Sequence, residues 1–212
     1  MEALFPSRCI GCEQIGTFLC HNCITVIPPA ELPSDTSIRA IWSYQHNTVR
    51  HLIWNIKYNN VRAAAPICAK ALWDTLGEDM AEEILMGAKS RVDNILVVPI
   101  PLSRARLQER GYNHTEDVAR AIVALATDNR LVLVTDILVK VRDTKPQMSL
   151  PNRTERLHNL IDAFSVSDTS RVAGHDIILI DDVTTTGATI AEARKTLLAA
   201  GARSVKAYVV AH

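Results

Sequence analysis

No apolar run in this sequence is long enough to cross a lipid bilayer. The longest stretches, such as residues 95–101, fall far short of the roughly 20 residues that a spanning helix needs. The first residues, Met-Glu-Ala-Leu-Phe-Pro, also lack the basic start and the long apolar stretch of a secretion signal. These absences predict a cytoplasmic protein without a membrane span.

The sequence also lacks an excess of charge of either sign. It has 23 basic and 23 acidic residues, so the formal net charge is zero. This balance argues against nucleic-acid binding through overall charge and leaves only local basic patches for that role. Internal repeats and low-complexity tracts are missing, and 212 residues suffice for one large domain or for one domain plus a small module.

Cysteine is scarce, but four of the five cysteines form two C-x-x-C pairs near the N-terminus. These four are Cys9, Cys12, Cys20 and Cys23. Each pair can turn so that two thiolates meet one metal ion, and two pairs complete the tetrahedron of a structural Zn²⁺ site. Disulfides are the alternative, which a reducing cytoplasm disfavours. His21 is a second choice as a ligand, although its place inside a C-x-x-C pair makes it a minor one.

The order of patterns along the chain predicts a zinc module followed by an α/β domain. We expect a zinc module (1–27), a linker (28–35) and a main domain (36–212), the last made of a helical, hood-like part (36–90) and a core (91–212). From residue 94 onward strands and helices alternate, which predicts a parallel sheet flanked by helices. Hydrophobic periodicity predicts helices at 48–58, 61–76, 78–88, 115–126 and 190–200, and strands at 38–44, 94–99, 131–141 in part, 177–180 and 205–210.

The segment 177–189 carries the strongest functional signal. Four apolar residues predict a buried strand, Asp181 and Asp182 stand at its end, and a hydroxyl-rich loop leads into a helix. Ligands of α/β sheets bind beyond the carboxyl ends of the strands, and a loop that opens a helix offers N–H groups to a phosphate. Carboxylates accept hydrogen bonds from a sugar diol and reach a hard cation through water. The loop consists of Val183, Thr184, Thr185, Thr186, Gly187, Ala188 and Thr189.

This segment therefore predicts a site for a sugar phosphate. It matches neither the G-x-x-x-x-G-K-[ST] loop of nucleoside triphosphatases nor the G-x-G-x-x-G fingerprint of dinucleotide-binding domains. An ordinary strand–turn–helix with a solvated acid pair is the alternative.

Two basic stretches accompany the acid pair. The first follows the strand that ends at Pro99, and the second spans residues 140–156. Their basic residues are Arg104, Arg106 and Arg110 in the first stretch, and Lys140, Arg142, Lys145, Arg153 and Arg156 in the second. Arginine suits bidentate phosphate contacts and lysine supplies a point charge, so the two stretches indicate a polyphosphate ligand. Solvated charged faces are the alternative.

Together these segments resemble the ComF family, also called competence-protein-F-like or GntX-like phosphoribosyltransferases. The shared stretches are Val-Pro-Ile-Pro-Leu-Ser-Arg followed by Arg-Gly-Tyr-Asn, then Arg-Asp-Thr-Lys-Pro-Gln-Met-Ser-Leu, and then the Asp-Asp motif. The four cysteines, an Ile-Lys-Tyr motif that ends at Tyr58 and an Ala-Gly-Ala at residues 200–202 match as well. The resemblance covers nearly the whole chain and implies the type I phosphoribosyltransferase fold. Several members of the family have a longer cysteine segment than this chain.

The resemblance implies a site for phosphoribosyl pyrophosphate (PRPP), or a related sugar phosphate, with Mg²⁺. Asp181 and Asp182 are then expected on the ribose hydroxyls, and residues 184–189 on the 5-phosphate. Arg104 is expected to face the pyrophosphate, and Lys57 is expected among the PRPP-binding residues.

Catalysis is implied by the same resemblance. Residues 140–147 resemble part of the mobile loop that closes over the site of type I enzymes. Arg142 and Lys145 of this loop are expected to act with Asp181 and Asp182. The reaction is displacement of pyrophosphate from the anomeric carbon through an oxocarbenium-like transition state, which Mg²⁺ and basic side chains stabilise.

One departure from related enzymes leaves the acceptor open. Oxopurine-using relatives place an acid three residues after the paired acids, where this chain has Thr185. His114 is a candidate general base, although a lone histidine near a helix start is more often structural. Two classes of function remain: a Mg²⁺-dependent phosphoribosyltransferase, or a non-catalytic module that binds PRPP, a nucleotide or single-stranded DNA. Because family members are associated with DNA uptake in natural competence, DNA-uptake proteins are expected partners, and a homodimer is an expected assembly.

Overall fold

A computed structural model describes most of the chain. The described residues are 7–31, 35–59, 63–85, 94–127, 129–142 and 162–212. Lys145, Arg153 and Arg156 lie outside them, together with most of the expected mobile loop. Among the described residues, no helix is both long and apolar enough to cross a membrane.

The elements alternate along the second half of the chain as expected. The α-helices are α1 (His21–Thr25), α2 (Asn47–Tyr58), α3 (Ala64–Leu85), α4 (Arg104–Arg110), α5 (His114–Leu125) and α6 (Ala188–Ala199). The strands are β1 (Ile38–Trp42), β2 (Ile95–Pro99), β3 (Leu131–Leu133), β4 (Leu138–Lys140), β5 (Phe164–Val166), β6 (Asp176–Val183) and β7 (Ser204–Ala211). A short 3-10 helix covers Thr169–Arg171.

The main sheet has five parallel strands in the order β1-β7-β6-β2-β3. The predicted α/β fold with a parallel sheet is therefore confirmed. Strand β6 lies between β2 and β7, and parallel strands end at one edge, so the carboxyl ends of β2 and β6 are neighbours. Strands β4 and β5 form a separate antiparallel pair.

Successive side chains of β6 enter two different apolar cores. Ile178 and Ile180 belong to the core that contains buried residues of α2, α3 and α5. Ile177 and Leu179 belong to the core formed with α6. Side chains alternate between the two faces of a strand, so the parity of a position at the end of β6 decides which set of helices it faces.

Several boundaries differ from the sequence predictions. The two helices predicted at 61–76 and 78–88 are wrong as separate elements, because α3 is one helix of 22 residues that runs through Gly77. A side chain at Gly77 would meet nothing within 4 Å, so this glycine fills an ordinary position on the exposed side of the helix. Glycine inside a helix costs about 1 kcal/mol relative to alanine, which long-range packing can overcome.

Two further differences concern the edge of the sheet. The predicted strand at 177–180 continues through the acids to Val183, because β7 pairs with it up to Ala211. The basic stretch after Pro99 contains the short helix α4, which ends at Gly111 with a φ of 76°. That left-handed conformation suits glycine and is a common way to end a helix.

The N-terminal segment packs onto the main domain. Cys9, Leu19 and Ile27 belong to the same apolar core as Val49 and Leu52 of α2. The boundary of the module at residue 27 stays a prediction, and the two parts share buried surface.

Candidate functional site

The acid pair lies at the carboxyl end of β6, at the edge of the sheet that sequence analysis indicated. Asp182 has the parity of Ile178 and Ile180, so it faces the helices α2 and α5. Asp181 has the parity of the residues that face α6. The two adjacent acids therefore lie on opposite faces of the sheet, one toward α2 and α5 and the other toward α6.

Asp182 is buried, with 7% of its surface exposed. Its Oδ1 lies 3.0 Å from Nζ of Lys57, which stands in the last turn of α2. Its Oδ2 is in close contact with Nε2 of His114, the first residue of α5. Both carboxylate oxygens therefore have a partner within the protein.

The ionisation of this cluster follows from those contacts. Burial disfavours the charged form of Asp182, but Lys57 and His114 outweigh burial and hold the pKa of Asp182 well below its usual range. Burial likewise opposes the charge on Lys57, yet the carboxylate of Asp182 raises the pKa of this lysine. Asp182 and Lys57 thus form a charged pair at neutral pH.

Asp181 is in a different state. Its side chain is half-buried, and its Oδ1 accepts a hydrogen bond of 2.9 Å from the backbone N–H of Asp182. Burial and the negative charge of Asp182 raise the pKa of Asp181 to about 7. Asp181 is therefore the acid of the pair whose charge a cation or a hydroxyl donor would stabilise most.

The loop between β6 and α6 is organised by its own hydroxyl groups. Thr184 is buried and its N–H donates to the carbonyl of Ala211 at 3.0 Å. Its Oγ1 accepts from the N–H of Gly187 at 3.1 Å, and Oγ1 of Thr186 accepts from the N–H of Ala188 at 3.4 Å. The N–H groups at the start of α6 thus already point at oxygen atoms, as they would toward a phosphate.

Gly187 permits this turn. Its φ is 73°, and a side chain there would approach Cδ1 of Ile38 to 3.2 Å. Thr185 is exposed, and its carbonyl lies 3.2 Å from Nε2 of His212. Val183 is the last residue of β6 and Thr189 lies in the first turn of α6, so the whole motif forms one turn at the start of that helix.

The basic residues lie on several elements. Arg104 is the exposed first residue of α4, and Arg142 is exposed beyond β4. Lys57 contacts Asp182, a partner that its sequence neighbourhood did not reveal. Arg110, which the sequence marked only as one of several arginines, lies with Nη1 3.4 Å from Nδ1 of His114.

Tyr112 belongs to the Arg-Gly-Tyr-Asn motif, and the structure shows its contact with α2. Its hydroxyl donates a 2.6 Å hydrogen bond to the carbonyl of Ile56, near the end of α2. The Arg-Gly-Tyr-Asn motif therefore fixes the helix end that carries Lys57. Asn113 of the same motif caps α5 by accepting the N–H of Thr115 at 3.3 Å.

The four N-terminal cysteines form a cluster that fits a metal ion. Their Sγ atoms all lie within 4.8 Å of one another, and all four cysteines are unbridged. Tetrahedral zinc thiolates have sulfur atoms roughly 3.8 Å apart, given Zn–S bonds of about 2.3 Å. Cys12 and Cys20 have Sγ atoms 3.6 Å apart, far longer than a disulfide. His21 is exposed, whereas the cysteine sulfurs converge.

Backbone groups support this cluster. Sγ of Cys9 accepts the N–H groups of Gly11 at 3.4 Å and of Cys20 at 3.3 Å. Burial opposes the thiolate, but backbone donors outweigh it and lower the pKa of Cys9 to about 6. A side chain at Gly11 would lie 2.7 Å from Sγ of Cys23, so a larger residue there would have to displace this sulfur. The donor set is thus four sulfurs in a closed arrangement, which is typical of a structural metal site.

Comparison with known proteins agrees with this architecture. The family model of the phosphoribosyl transferase domain matches residues 94–212, which is more than half of the chain. The chain belongs to the phosphoribosyl transferase domain family. The matched residues include β2, the acid pair, the threonine-rich loop and the final strand of the sheet.

Relatives of this phosphoribosyl transferase domain protein refine the assignment. It is 29% identical over 196 residues to the competence protein ComFC of Streptococcus pneumoniae, covering 92% of this chain and 81% of that protein. It is 33% identical over 118 residues to ComFC of Bacillus subtilis, covering 55% of this chain and 44% of that protein. It is 30% identical over 134 residues to the DNA utilization protein YhgH of Salmonella typhimurium, covering 61% of this chain and 55% of that protein. The resemblance to the ComF family is thereby confirmed.

Two solved structures are similar to part of this chain. A mutant hypoxanthine phosphoribosyltransferase of Trypanosoma cruzi, complexed with IMP, has a TM-score of 0.38 at 10% identity and covers 70% of this chain and 64% of that chain. A glutamic acid mutant from a study of an invariant aspartic acid in HPRTs has a TM-score of 0.39 at 11% identity and covers 68% of this chain and 65% of that one. Because these TM-scores are low, the fold is assigned from the strand order of the parallel sheet and from the family match.

Proposed function

We propose that this ComF-family protein binds PRPP with Mg²⁺ at the carboxyl edge of its sheet and transfers the phosphoribosyl group to an acceptor. The observation that carries the proposal is the direct succession, at the end of β6, of a half-buried acid and a loop whose N–H groups open α6. The acid suits the sugar hydroxyls, and the loop suits the phosphate.

The proposed phosphate site uses residues 184–189. In the structure, the hydroxyl oxygens of Thr184 and Thr186 accept hydrogen bonds from the N–H groups of Gly187 and Ala188. A phosphate oxygen can take over these N–H groups while the threonine hydroxyls rotate to donate to it. The positive end of the 12-residue helix α6 adds a favourable field for the anion.

The two acids contribute to this proposal in different ways. Asp181 has a carboxylate that accepts one backbone hydrogen bond and keeps further acceptor capacity for ribose hydroxyls or for water on Mg²⁺. Asp182 would have to exchange Lys57 or His114 for a ribose hydroxyl, because both its oxygens are paired. We therefore assign the principal ribose contact to Asp181. We assign to Asp182 and Lys57 a structural role, as a buried ion pair below the site.

The proposed transfer breaks the bond between the anomeric carbon and pyrophosphate and forms one from that carbon to a nucleophile of the acceptor. When bound, Mg²⁺ would neutralise charge on the leaving pyrophosphate. Arg104 and Arg142 stand on segments that follow β2 and β4, and together with Lys145 they are the basic residues proposed to act on the pyrophosphate. His114 is 2% exposed, with its nitrogens beside Asp182 and Arg110, so we assign it a structural role rather than that of a general base.

We further propose that Cys9, Cys12, Cys20 and Cys23 hold one Zn²⁺, which stabilises the N-terminal module. The names of the relatives, competence protein and DNA utilization protein, support a role in DNA uptake, and we propose that the protein acts in the cytoplasm. A module that binds single-stranded DNA without catalysis is the second candidate. It is favoured by the exposed aromatic pair Trp54 and Tyr58 on α2, because Arg110 lies 4.9 Å from the centre of the Tyr58 ring.

PRPP binding is tested by thermal unfolding with and without Mg²⁺. A ligand present at a hundredfold excess over its Kd adds about 2.7 kcal/mol, which raises Tm by roughly 5–10 °C for a chain of this size. Asp181→Asn should lower PRPP affinity at least tenfold, because asparagine has nearly the same shape as aspartate but lacks its negative charge. Asp74→Asn, in an exposed ion pair on α3, is the matched control.

The same variants decide the proposal. Equal PRPP affinity in Asp181→Asn and Asp74→Asn would refute the ribose assignment. The absence of any thermal shift with PRPP in the unmodified protein would refute the ligand. Pyrophosphate release with PRPP, Mg²⁺ and candidate bases then separates an enzyme from a binding module.

A further inference from the structure

The proposed transfer needs a group that removes a proton from the acceptor. A neutral nucleophile with an N–H or O–H bond must lose its proton when it bonds to the anomeric carbon. Asp182 has both its oxygens paired, His114 is buried with both nitrogens beside other groups, and Asp181 is assigned to the ribose. A further residue at this edge of the sheet is therefore needed for that proton.

His212 stands at the same edge of the sheet, directly after the last residue of β7. Its backbone N–H donates to the carbonyl of Trp42 at 3.1 Å, and its carbonyl accepts the N–H of Tyr44 at 2.8 Å. Both partners belong to the end of β1, which pairs with β7, or to the residues just after it. The backbone position of this histidine is therefore fixed without any contribution from its side chain.

The imidazole of His212 reaches the threonine-rich loop. Its Nε2 lies 3.2 Å from the carbonyl oxygen of Thr185, and the residue is half-buried. The loop is joined to the end of β7 a second time, because the N–H of Thr184 donates to the carbonyl of Ala211 at 3.0 Å. Since a carbonyl oxygen can only accept, Nε2 is the nitrogen that bears the proton. In the neutral ring Nδ1 then has the lone pair, and it can take up a proton.

The strand order places His212 on the side of β6 from which a nucleophile would approach. In a direct displacement at an anomeric carbon, the nucleophile and the leaving group stand on opposite faces of the sugar. Arg104, which is proposed to act on the pyrophosphate, follows β2 on one side of β6, whereas His212 follows β7 on the other side. A ribose held by Asp181 would thus have its leaving group toward β2 and its nucleophile toward β7.

We propose that His212 is the general base of the transfer and accepts the proton of a neutral N–H or O–H acceptor on Nδ1. As the bond from the acceptor to the anomeric carbon forms, the bond from that carbon to pyrophosphate breaks, and its electron pair leaves with pyrophosphate. The proton moves from the acceptor to Nδ1, while the N–H of Nε2 donates to Thr185 and keeps the ring in place. The acceptor is therefore a nucleophile that carries a proton. This role of His212 depends on the PRPP site proposed above.

Pyrophosphate release from PRPP and Mg²⁺ with two probe nucleophiles, water and azide, tests this role. Water must lose a proton when it attacks, whereas the azide anion has none to lose. His212→Ala should lower the rate with water about 100-fold or more, the usual contribution of a general base, and leave the rate with azide unchanged. The KM for PRPP should also stay unchanged, because no contact with PRPP is assigned to this histidine.

Two further variants separate a base from a residue that only positions the loop. His212→Gln keeps an N–H donor for the carbonyl of Thr185 but cannot take up a proton, so it should be as slow with water as His212→Ala. His175→Gln is the matched control. His175 is also half-buried, its Nδ1 lies 3.2 Å from the carbonyl of Ala173, and it stands just before β6, at the amino edge of the sheet. This variant should react as the unmodified protein does.

The outcomes that overturn the role are distinct. Equal losses with water and azide in His212→Ala would mean that the histidine only shapes the loop, and full activity of His212→Gln with water would mean the same. If PRPP raises Tm but the unmodified protein releases pyrophosphate with neither nucleophile, His212 is not a base, and PRPP binding stands. If PRPP causes no shift in Tm, the PRPP site fails and the role of His212 fails with it.

Discussion

Replacing Lys57 by methionine isolates the energetic role of the buried ion pair beneath the acid motif. The Nζ–Oδ1 distance of 3.0 Å to Asp182 corresponds to roughly 5 kcal/mol of attraction at an effective dielectric constant of 20. Desolvation offsets part of this attraction, and His114 remains as a partner in the variant. Since removal of one partner from a buried pair costs about 3–5 kcal/mol, we expect Lys57→Met to lower the free energy of unfolding by about 3 kcal/mol.

Urea unfolding at pH 7.5 measures this change, with zinc content checked in parallel. Tm should fall by roughly 6–12 °C for a chain of this size. The matched control is Lys70→Met, which removes the exposed pair with Asp74 and should cost no more than about 0.5 kcal/mol. In the double variant Lys57→Met with Asp182→Asn, no uncompensated charge remains, so part of the stability should return. Equal losses in Lys57→Met and Lys70→Met would show that Asp182 is not held by the lysine.

Three other results are expected. The pKa of Asp181 is raised to about 7, so this carboxyl group adds stability below about pH 4 that is lost as pH rises through 7. Asp181→Asn should therefore raise the free energy of unfolding by about 2 kcal/mol at pH 8 and hardly change it at pH 4. Urea titrations that show the same effect at both pH values would contradict this expectation. Gly11→Ala should abolish stoichiometric zinc in elemental analysis, because the new Cβ would lie 2.7 Å from Sγ of Cys23; full zinc content would contradict the crowding argument. Gly77→Ala should raise the free energy of unfolding by about 1 kcal/mol, since the new methyl group meets nothing within 4 Å; a loss of stability would mean that α3 does not run through this position.

Sequence patterns predicted correctly those strands and helices whose formation depends on the spacing of their own apolar residues. The apolar run at 177–180 marks β6 because parallel strands are buried on both faces. The spacing of Val49, Leu52 and Ile56 marks α2 because one face of a helix must meet the core. The match of the cysteine pairs to a metal cluster is local in the same sense.

The contacts of Asp182 could not be predicted, because they depend on how distant elements meet. Lys57 stands at the end of one helix and His114 at the start of another, and only the strand order brings both to the end of β6. The break expected near Gly77 failed for a related reason: packing of α3 against α5 and β7 outweighs one unfavourable residue. The neighbouring acids look equivalent in the sequence, and only the alternation of β6 between two cores distinguishes them.

Helix α2 mechanically connects two regions that look separate along the chain. At its first turn, Thr48 lies beside Gly11 of the cysteine cluster, and at its last turn Lys57 contacts Asp182. A helix of 12 residues is about 18 Å long, so a movement of the whole helix would change both contacts. Thermodynamic linkage then makes the relation mutual: if metal binding strengthens the acid pair's contacts, occupation of the acid site strengthens metal binding by the same factor. The cysteine segment of this chain, shorter than in several family members, still lies against the beginning of α2 at Gly11 and Thr48.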